Sequence, residues 1–280
     1  MSDEADLNAL ISARFAIPSD LGPELPAAET LALMLSHRTH RAYRDEAVPE
    51  DVVQLLLACA LSTPSKSDLQ QASIVRITDR DLRQRIGALI PDMPWIVQAP
   101  EFFVFCGDSR RIRRICELRG KPFGNDHLDA FLNAASDAAM TLEAMIVAAE
   151  SAGLGCCPIS VIRNHIDAVA ELLDLPDWVF PLAGLCLGYP LRQGYVSVRI
   201  PPAIAVHENR YDDSDFPAEL DAYDRRRDSV YSIPPEKRRM QADYGDAEFY
   251  GWSEDKARQV SVPEREGVGP YLRRKGFNLA

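Results

Sequence analysis

Apolar positions recur at i, i+3, i+4 and i+7 through "AAETLALMLSHR" and "EDVVQLLLACALS", the spacing of helices that bury one face. Between them "DEAVP" supplies a turn, and Pro49 stands near the start of the second helix. "ASIVRIT", a short β-branched run with polar flanks, predicts a strand. "DRDLRQRIGAL" predicts a helix with an aspartate N-cap, and the continuous apolar run "PEFFVFCGD" a buried strand. The longest helical stretch runs from Leu128 to Gly155, with Gly153 and Gly155 as its C-terminal punctuation. It is apolar on more than one face, so it needs covering on most sides, in the core or on a partner subunit. "CCPISVI" predicts a strand, "NHIDAVAELLDLP" a helix capped by Asn164, and "WVFPLAGLCLGYP" a buried strand ending at Gly188–Pro190.

Beyond Pro190 the pattern changes. "LRQGYVSVRIPPAIAVHENRYDD" reads as extended, and the polar stretch after it has too few apolar residues to fold alone. This predicts a long arm laid over something else, without a second compact domain. Helices and strands in alternation predict an α/β or α+β domain.

Composition narrows the partners. The 280 residues carry 42 Asp plus Glu against 31 Lys plus Arg, a net charge of -11 that argues against nucleic acid. No uninterrupted run of about 18 apolar residues occurs, so no membrane span is expected. The start, "MSDEADLNAL", lacks the basic region of a secretory signal. Six cysteines, at 59, 106, 116, 156, 157 and 186, match no C-x-x-C or zinc spacing, and no metal site is expected. Most sit among apolar neighbours, which reads as small core residues in a reducing cytoplasm. The vicinal pair Cys156–Cys157 has no histidine or other base beside it in the sequence.

Three polar clusters stand out against this background. "SHRTHRAYRD", Ser36 to Asp45, gathers three arginines and two histidines in an acidic chain. Arg38, Thr39 and Arg41 after a helix end can chelate a phosphate, although arginines offsetting a helix dipole have the same letters. "STPSKSDLQQ", Ser62 to Gln71, is rich in hydroxyls and amides that can bind a heteroaromatic ring or simply make a turn. "GLGCCPISVIRNH", Gly153 to His165, presents backbone amides ahead of Arg163 and Asn164, a setting that favours bound negative charge. No G-x-G-x-x-G, P-loop, G-x-S-x-G or H-E-x-x-H pattern is present. Polar anchors without an acid–base pair imply chemistry supplied by an organic cofactor.

Taken in order, "HRTHRAYRD", "SIVRITDRDLR", "EFFVFCGD", "AESAGLG", "RNHIDAVAELLDLP", "PLAGLCLGYP" and "RIPPAIAVHENRY" resemble the FMN-dependent nitroreductase superfamily. The branch is that of oxygen-insensitive, NADPH-dependent nitroreductases and flavin reductases, and the tail "WSEDKARQ" to "PYLRRKGFNL" is similar to its C-terminal extension. The resemblance implies an α+β, three-layer α-β-α sandwich with a C-terminal extension wrapping the partner subunit of a homodimer. It divides the chain into a helical lead-in (1–30), an FMN-binding core (31–211) and a dimer arm (212–280). FMN would be held by His37, Arg38, Thr39 and Arg41 at the phosphate and ribityl end. Ser65 would contribute across the dimer interface, Ile159, Ser160, Val161 and Arg163 at the ring, and Arg199 on the phosphate side.

Lys66 and Ser67 would lie on the substrate side, and Arg225, Lys237 and Arg238 would receive the extra phosphate of NADPH, or form a solvated face. Four positions depart from the family pattern: Ser160 and Val161 replace a glycine pair, Ser197 replaces a lysine, and Met93 or a close neighbour replaces an amide. The implied reaction is ping-pong: NADPH or NADH gives hydride to the flavin and leaves, and a nitroaromatic, quinone or flavin acceptor takes its place. The altered loop also admits another flavin reaction, such as dehalogenation or flavin fragmentation, and the vicinal cysteines admit a non-catalytic redox sensor.

Overall fold

The computed structural model describes residues 7–19 and 28–280. The acidic start of the chain, and with it part of the 1–30 lead-in, lies outside the described residues. In chain order the helices and strands begin with α1 (Leu7–Phe15), α2 (Ala28–Leu35), α3 (Glu50–Leu61), β1 (Ala72–Arg76), α4 (Arg80–Ala88) and α5 (Trp95–Gln98). Next come β2 (Glu101–Asp108), α6 (Arg110–Leu118), α7 (Leu128–Ser151), β3 (Gly155–Ile159), α8 (Ile166–Leu172) and β4 (Val179–Gly188). The chain closes with α9 (Pro202–Ala205), α10 (Phe216–Val230), α11 (Gln241–Tyr244), α12 (Trp252–Val260) and α13 (Val268–Arg274).

The punctuation read from the sequence mostly acts as expected. Asp79 caps α4, its carboxylate accepting from the amides of Asp81 and Leu82. Gly153, at φ +76°, closes α7 with Leu154 N–H donating to Ala149 O at 2.9 Å, a turn that needs the left-handed backbone. Asn164 is not the cap of α8. Ser160–His165 form a 3₁₀ turn first, and His165 occupies the cap position.

The chain falls into two units. The larger comprises Arg38–Gly194 and Arg265–Ala280. Its sheet has the order β1-β2-β4-β3, every neighbouring pair antiparallel. Along β2 and β4 alternate side chains enter opposite faces. Phe103, Phe105, Leu185 and Leu187 join Val53 and Leu56 of α3 and Met145 of α7 in one cluster. Phe102, Val104, Cys106 and Cys186 join Ile86 of α4, Val169 of α8 and Tyr271 of α13 in the other. Helices thus cover both faces, α3 with most of α7 on one and α4, α8 and α13 on the other, a three-layer α-β-α sandwich. Double coverage explains why β2, though antiparallel, reads as an unbroken apolar run. By length and composition α7 could cross a membrane. In this unit, however, Ala134, Ala138, Met145 and Ala149 of α7 are all buried, Met145 and Ala149 in the cluster shared with α3 and Ala134 in the opposite one.

The smaller unit comprises the segment up to His37 together with Tyr195–Glu264. Where the sequence predicts a polar arm, this unit contains the 15-residue α10 and the buried rings of Tyr223 and Tyr250. Trp252 meets Tyr223 edge-on at 5.4 Å. Buried charges supply the rest: Asp224 accepts from Ser253 N–H at 3.0 Å, and Tyr250 O–H donates to Asp255 at 3.1 Å. Arg258, 3% exposed, donates to Glu254, to Arg239 O and to Gly245 O. Satisfied charge holds this unit where apolar residues are few.

A Cβ placed on Gly155 would lie 2.6 Å from Cγ of the His40 ring. Gly155→Ala is therefore expected to lower unfolding free energy by about 1–3 kcal/mol through overpacking, read from urea melts.

Candidate active site

The segment from Thr39 to Arg44 runs beside the sheet. Thr39 forms a parallel bridge with Cys156, His40 N–H donates to Cys156 O at 2.8 Å, and Tyr43 bridges Pro190. The Tyr43 hydroxyl donates to His40 O at 2.7 Å and to Cys186 O at 3.3 Å. Burial, then the nearby thiols, push its phenol far above the usual range. The segment is rigid because its backbone is paired, and Arg41 leaves it with its guanidinium 5.6 Å from the Trp95 ring centroid. A histidine does stand beside the vicinal cysteines, brought from His40, which neighbours in the sequence could not reveal. Burial raises the Cys157 thiol although Arg41 pulls it down, and burial raises Cys156 further. Both therefore stay thiols at neutral pH.

β3 carries this edge into the 3₁₀ turn that holds Ser160, Val161 and Arg163. Val161 packs on the same apolar cluster as Met93 and Trp95, while Ser160 stays exposed. The Arg163 guanidinium donates to Leu182 O. Burial lowers the Arg163 pKa, and the charge of Arg265 lowers it further. Arg265 itself donates to Ser160 Oγ at 3.2 Å. No local sequence signal marks this arginine, which comes from 105 residues away. In the same unit, Ser65 donates to Asp137 Oδ2 at 3.0 Å, and Lys66 and Ser67 project from the following turn, exposed. Asp137, 1% exposed, is another residue that local pattern hides, because it sits within an apolar helix.

The smaller unit holds the remaining candidates. Arg14, 5% exposed, donates to Leu35 O at 2.9 and 2.7 Å, to His37 O at 2.6 Å and to Ser197 O at 3.0 Å. Arg199 N–H donates back to Arg14 O at 2.8 Å. The Arg14 guanidinium thus holds His37 and Ser197 by their carbonyls while its backbone carbonyl holds Arg199, and Ser197 stands at the position where the family pattern has a lysine. A lone arginine in the apolar "ISARFAIP" was the available signal. Arg225 is engaged by Asp221 at 2.8 Å and lies over Phe249. Arg238 lies 5.1 Å from the Tyr250 ring centroid, and Lys237 is exposed in a 3₁₀ turn. These three do not form one cluster of unengaged cations.

The groups of the larger unit suit an anionic, flat, heteroaromatic group such as FMN. Guanidinium and hydroxyl donors match a phosphate, and a backbone turn fixed beside a strand end can face a ring. Arg41 makes this fit specific, since its charge meets an aromatic ring and a thiol and forms no ion pair with a carboxylate among the described residues.

Two family models match the chain: "Nitroreductase family" over residues 34–189 and "Nitroreductase family, C-terminal domain" over residues 197–280. The oxygen-insensitive NADPH nitroreductase of Salmonella typhimurium is 36% identical over 89% of this chain and 98% of its own. The FMN reductase (NADPH) of Bacillus subtilis is 29% identical over the same shares, 89% and 98%. Among solved structures, NfrA2 of B. megaterium superposes with a TM-score of 0.80 at 32% identity, covering 90% of this chain and 99% of its own.

Arg14→Ala would leave three partly buried carbonyls, of Leu35, His37 and Ser197, without this donor. Loss of about 3 kcal/mol of stability is expected, seen as a lower midpoint in thermal or urea melts.

Proposed function

The chain belongs to the nitroreductase family, and on that premise we propose that Arg38, Thr39 and Arg41 seat FMN beside the 159–163 turn. The protein is an NAD(P)H-dependent flavin oxidoreductase that reduces nitro or flavin acceptors. The observation that carries the seating is the pairing of Thr39 and His40 with Cys156, which holds the basic segment against the strand leading into that turn.

FMN, when bound, supplies the two-electron chemistry, accepting hydride from the nicotinamide donor and passing it to the acceptor. The protein binds and orients. Arg38 and Arg41, with the Thr39 hydroxyl, are assigned to the phosphate by charge-assisted hydrogen bonds. By the resemblance, His37 and Arg199, which Arg14 holds within the smaller unit, are likewise assigned to FMN. Ile159, Ser160 and Val161 line the ring, and Arg163 sets the turn by its bond to Leu182 O. Ser160, in place of glycine, brings a hydroxyl that holds Arg265, and Val161 packs on the apolar cluster that Met93 also joins. Ser65 is assigned to the flavin, with Lys66 and Ser67 on the side where donor and acceptor exchange in turn.

A homodimer is the working unit of this proposal. Exposed Leu55 and Leu61 on α3 and Leu128 and Leu132 on α7 support it, since they give the larger unit an apolar surface suited to a second subunit. A reducing cytoplasm fits six unpaired cysteines. Of the basic residues assigned to the donor's extra phosphate, Lys237 carries most of the preference, because Arg225 is held by Asp221 and Arg238 lies over Tyr250.

The purified protein is expected to be yellow with an oxidised-flavin absorption band that NADPH bleaches without oxygen. A colourless protein that takes up no FMN overturns the proposal. Arg41→Ala is expected to raise the FMN dissociation constant about tenfold or more, measured by fluorescence titration. Lys237→Ala is expected to raise KM for NADPH several-fold with KM for NADH unchanged. Equal efficiency of the two donors in the unaltered protein removes the basic-patch assignment.

A further inference from the structure

The segment joining α3 to β1 has an unusual backbone. Ser67, Asp68 and Gln70 have φ of 51°, 56° and 51°, left-handed values that are unfavourable for a residue with a side chain. A segment needed only to connect a helix to a strand has no reason to keep three such residues.

Two charged side chains hold it from opposite sides. Asp137 accepts from Ser65 Oγ at 3.0 Å, from Lys66 N–H at 2.9 Å and from Gln71 N–H at 2.9 Å. Ser65 Oγ in turn accepts from Gln70 N–H at 2.7 Å. Arg111 donates to Gln70 O, to Ala72 O at 3.1 Å and to Ser73 Oγ at 2.7 Å. Arg111 is itself fixed by Asp108 at 3.2 Å. The carboxylate therefore satisfies amides of the segment, and the guanidinium satisfies its carbonyls. Packing does not replace them, because a cavity of about 250 Å³ is lined by Ser65, Gln70, Arg111, Asp137 and Thr141. Lys66, Ser67 and Asp68 remain exposed at the tip.

We propose that Asp137 and Arg111 are positioning residues that clamp residues 65–72 and so fix where Lys66 and Ser67 meet the flavin and its reductant. The proposal rests on the assignment of Ser65, Lys66 and Ser67 to the ligand site above. Neither clamp residue touches the reacting atoms; each acts through the backbone it holds.

The test compares Asp137→Asn and Arg111→Ala with the unaltered protein. Amide hydrogen exchange, FMN fluorescence titration and steady-state kinetics are measured on each. An asparagine keeps one acceptor and turns an amine towards backbone donors. The Arg111 side chain is 44% exposed, so its removal keeps the test open even if the buried substitution prevents folding. Exchange over 65–72 is expected to accelerate at least tenfold while β2 and β4 keep their protection. The FMN dissociation constant should rise about tenfold, and donor KM should rise with kcat little changed. Unchanged exchange over 65–72 overturns the clamp. Faster exchange with unaltered FMN affinity and donor KM overturns the positioning role. If added FMN leaves the 65–72 amides of the unaltered protein unprotected, the site assignment fails, and the proposal with it.

Discussion

The central strands of the larger unit are enclosed on both faces, and this constraint decides where chemistry can occur. Every residue of β2 is buried, and β4 is buried except at Leu182. Side chains so enclosed serve packing and have no access to a ligand. Ligand contacts must come from segments that run past strand ends or edges: residues 38–44 beside β3, the 160–165 turn and the 62–71 connection. The site proposed above lies at this margin because the sheet leaves no other surface close to a rigid backbone.

Marginal segments lack ladder partners, and their backbone groups need other satisfaction. Here buried or half-buried charges provide it. Arg14 takes carbonyls from three places, Asp137 takes amides from one turn, and Arg83 donates to Ala99 O and Ile77 O. Each such ion has surrendered water for fixed backbone dipoles, so its removal costs more than one hydrogen bond. These residues are absent from the list of groups that would touch a cofactor, yet the geometry of that list depends on them.

Most of the fold was legible because periodicity and punctuation agree. The buried runs of β2 and β4, the β-branched run of β1, the Asp79 cap and the Gly153 terminus all carry their own signals. The smaller unit was not legible, since its stability comes from Tyr223, Tyr250, Asp255 and Arg258, types that local hydropathy counts as surface. Among the proposed site residues, the basic cluster and the 159–163 turn were marked by composition and by resemblance. Arg14, Asp137 and Arg265 were not, because each acts on residues 21 to 183 positions away, and no local window spans that distance.

The arrangement of Arg14 also bears on synthesis. Its partner Ser197 lies 183 residues later in the chain. At about 5–20 residues per second, roughly 10 to 40 s separate the two on the ribosome. During that interval the first helices emerge with a guanidinium lacking its distal carbonyl, while the strands of the sheet are completed behind them. The smaller unit consequently cannot close before Ser197 is made, and the larger unit, which includes Arg265–Ala280, is completed later still.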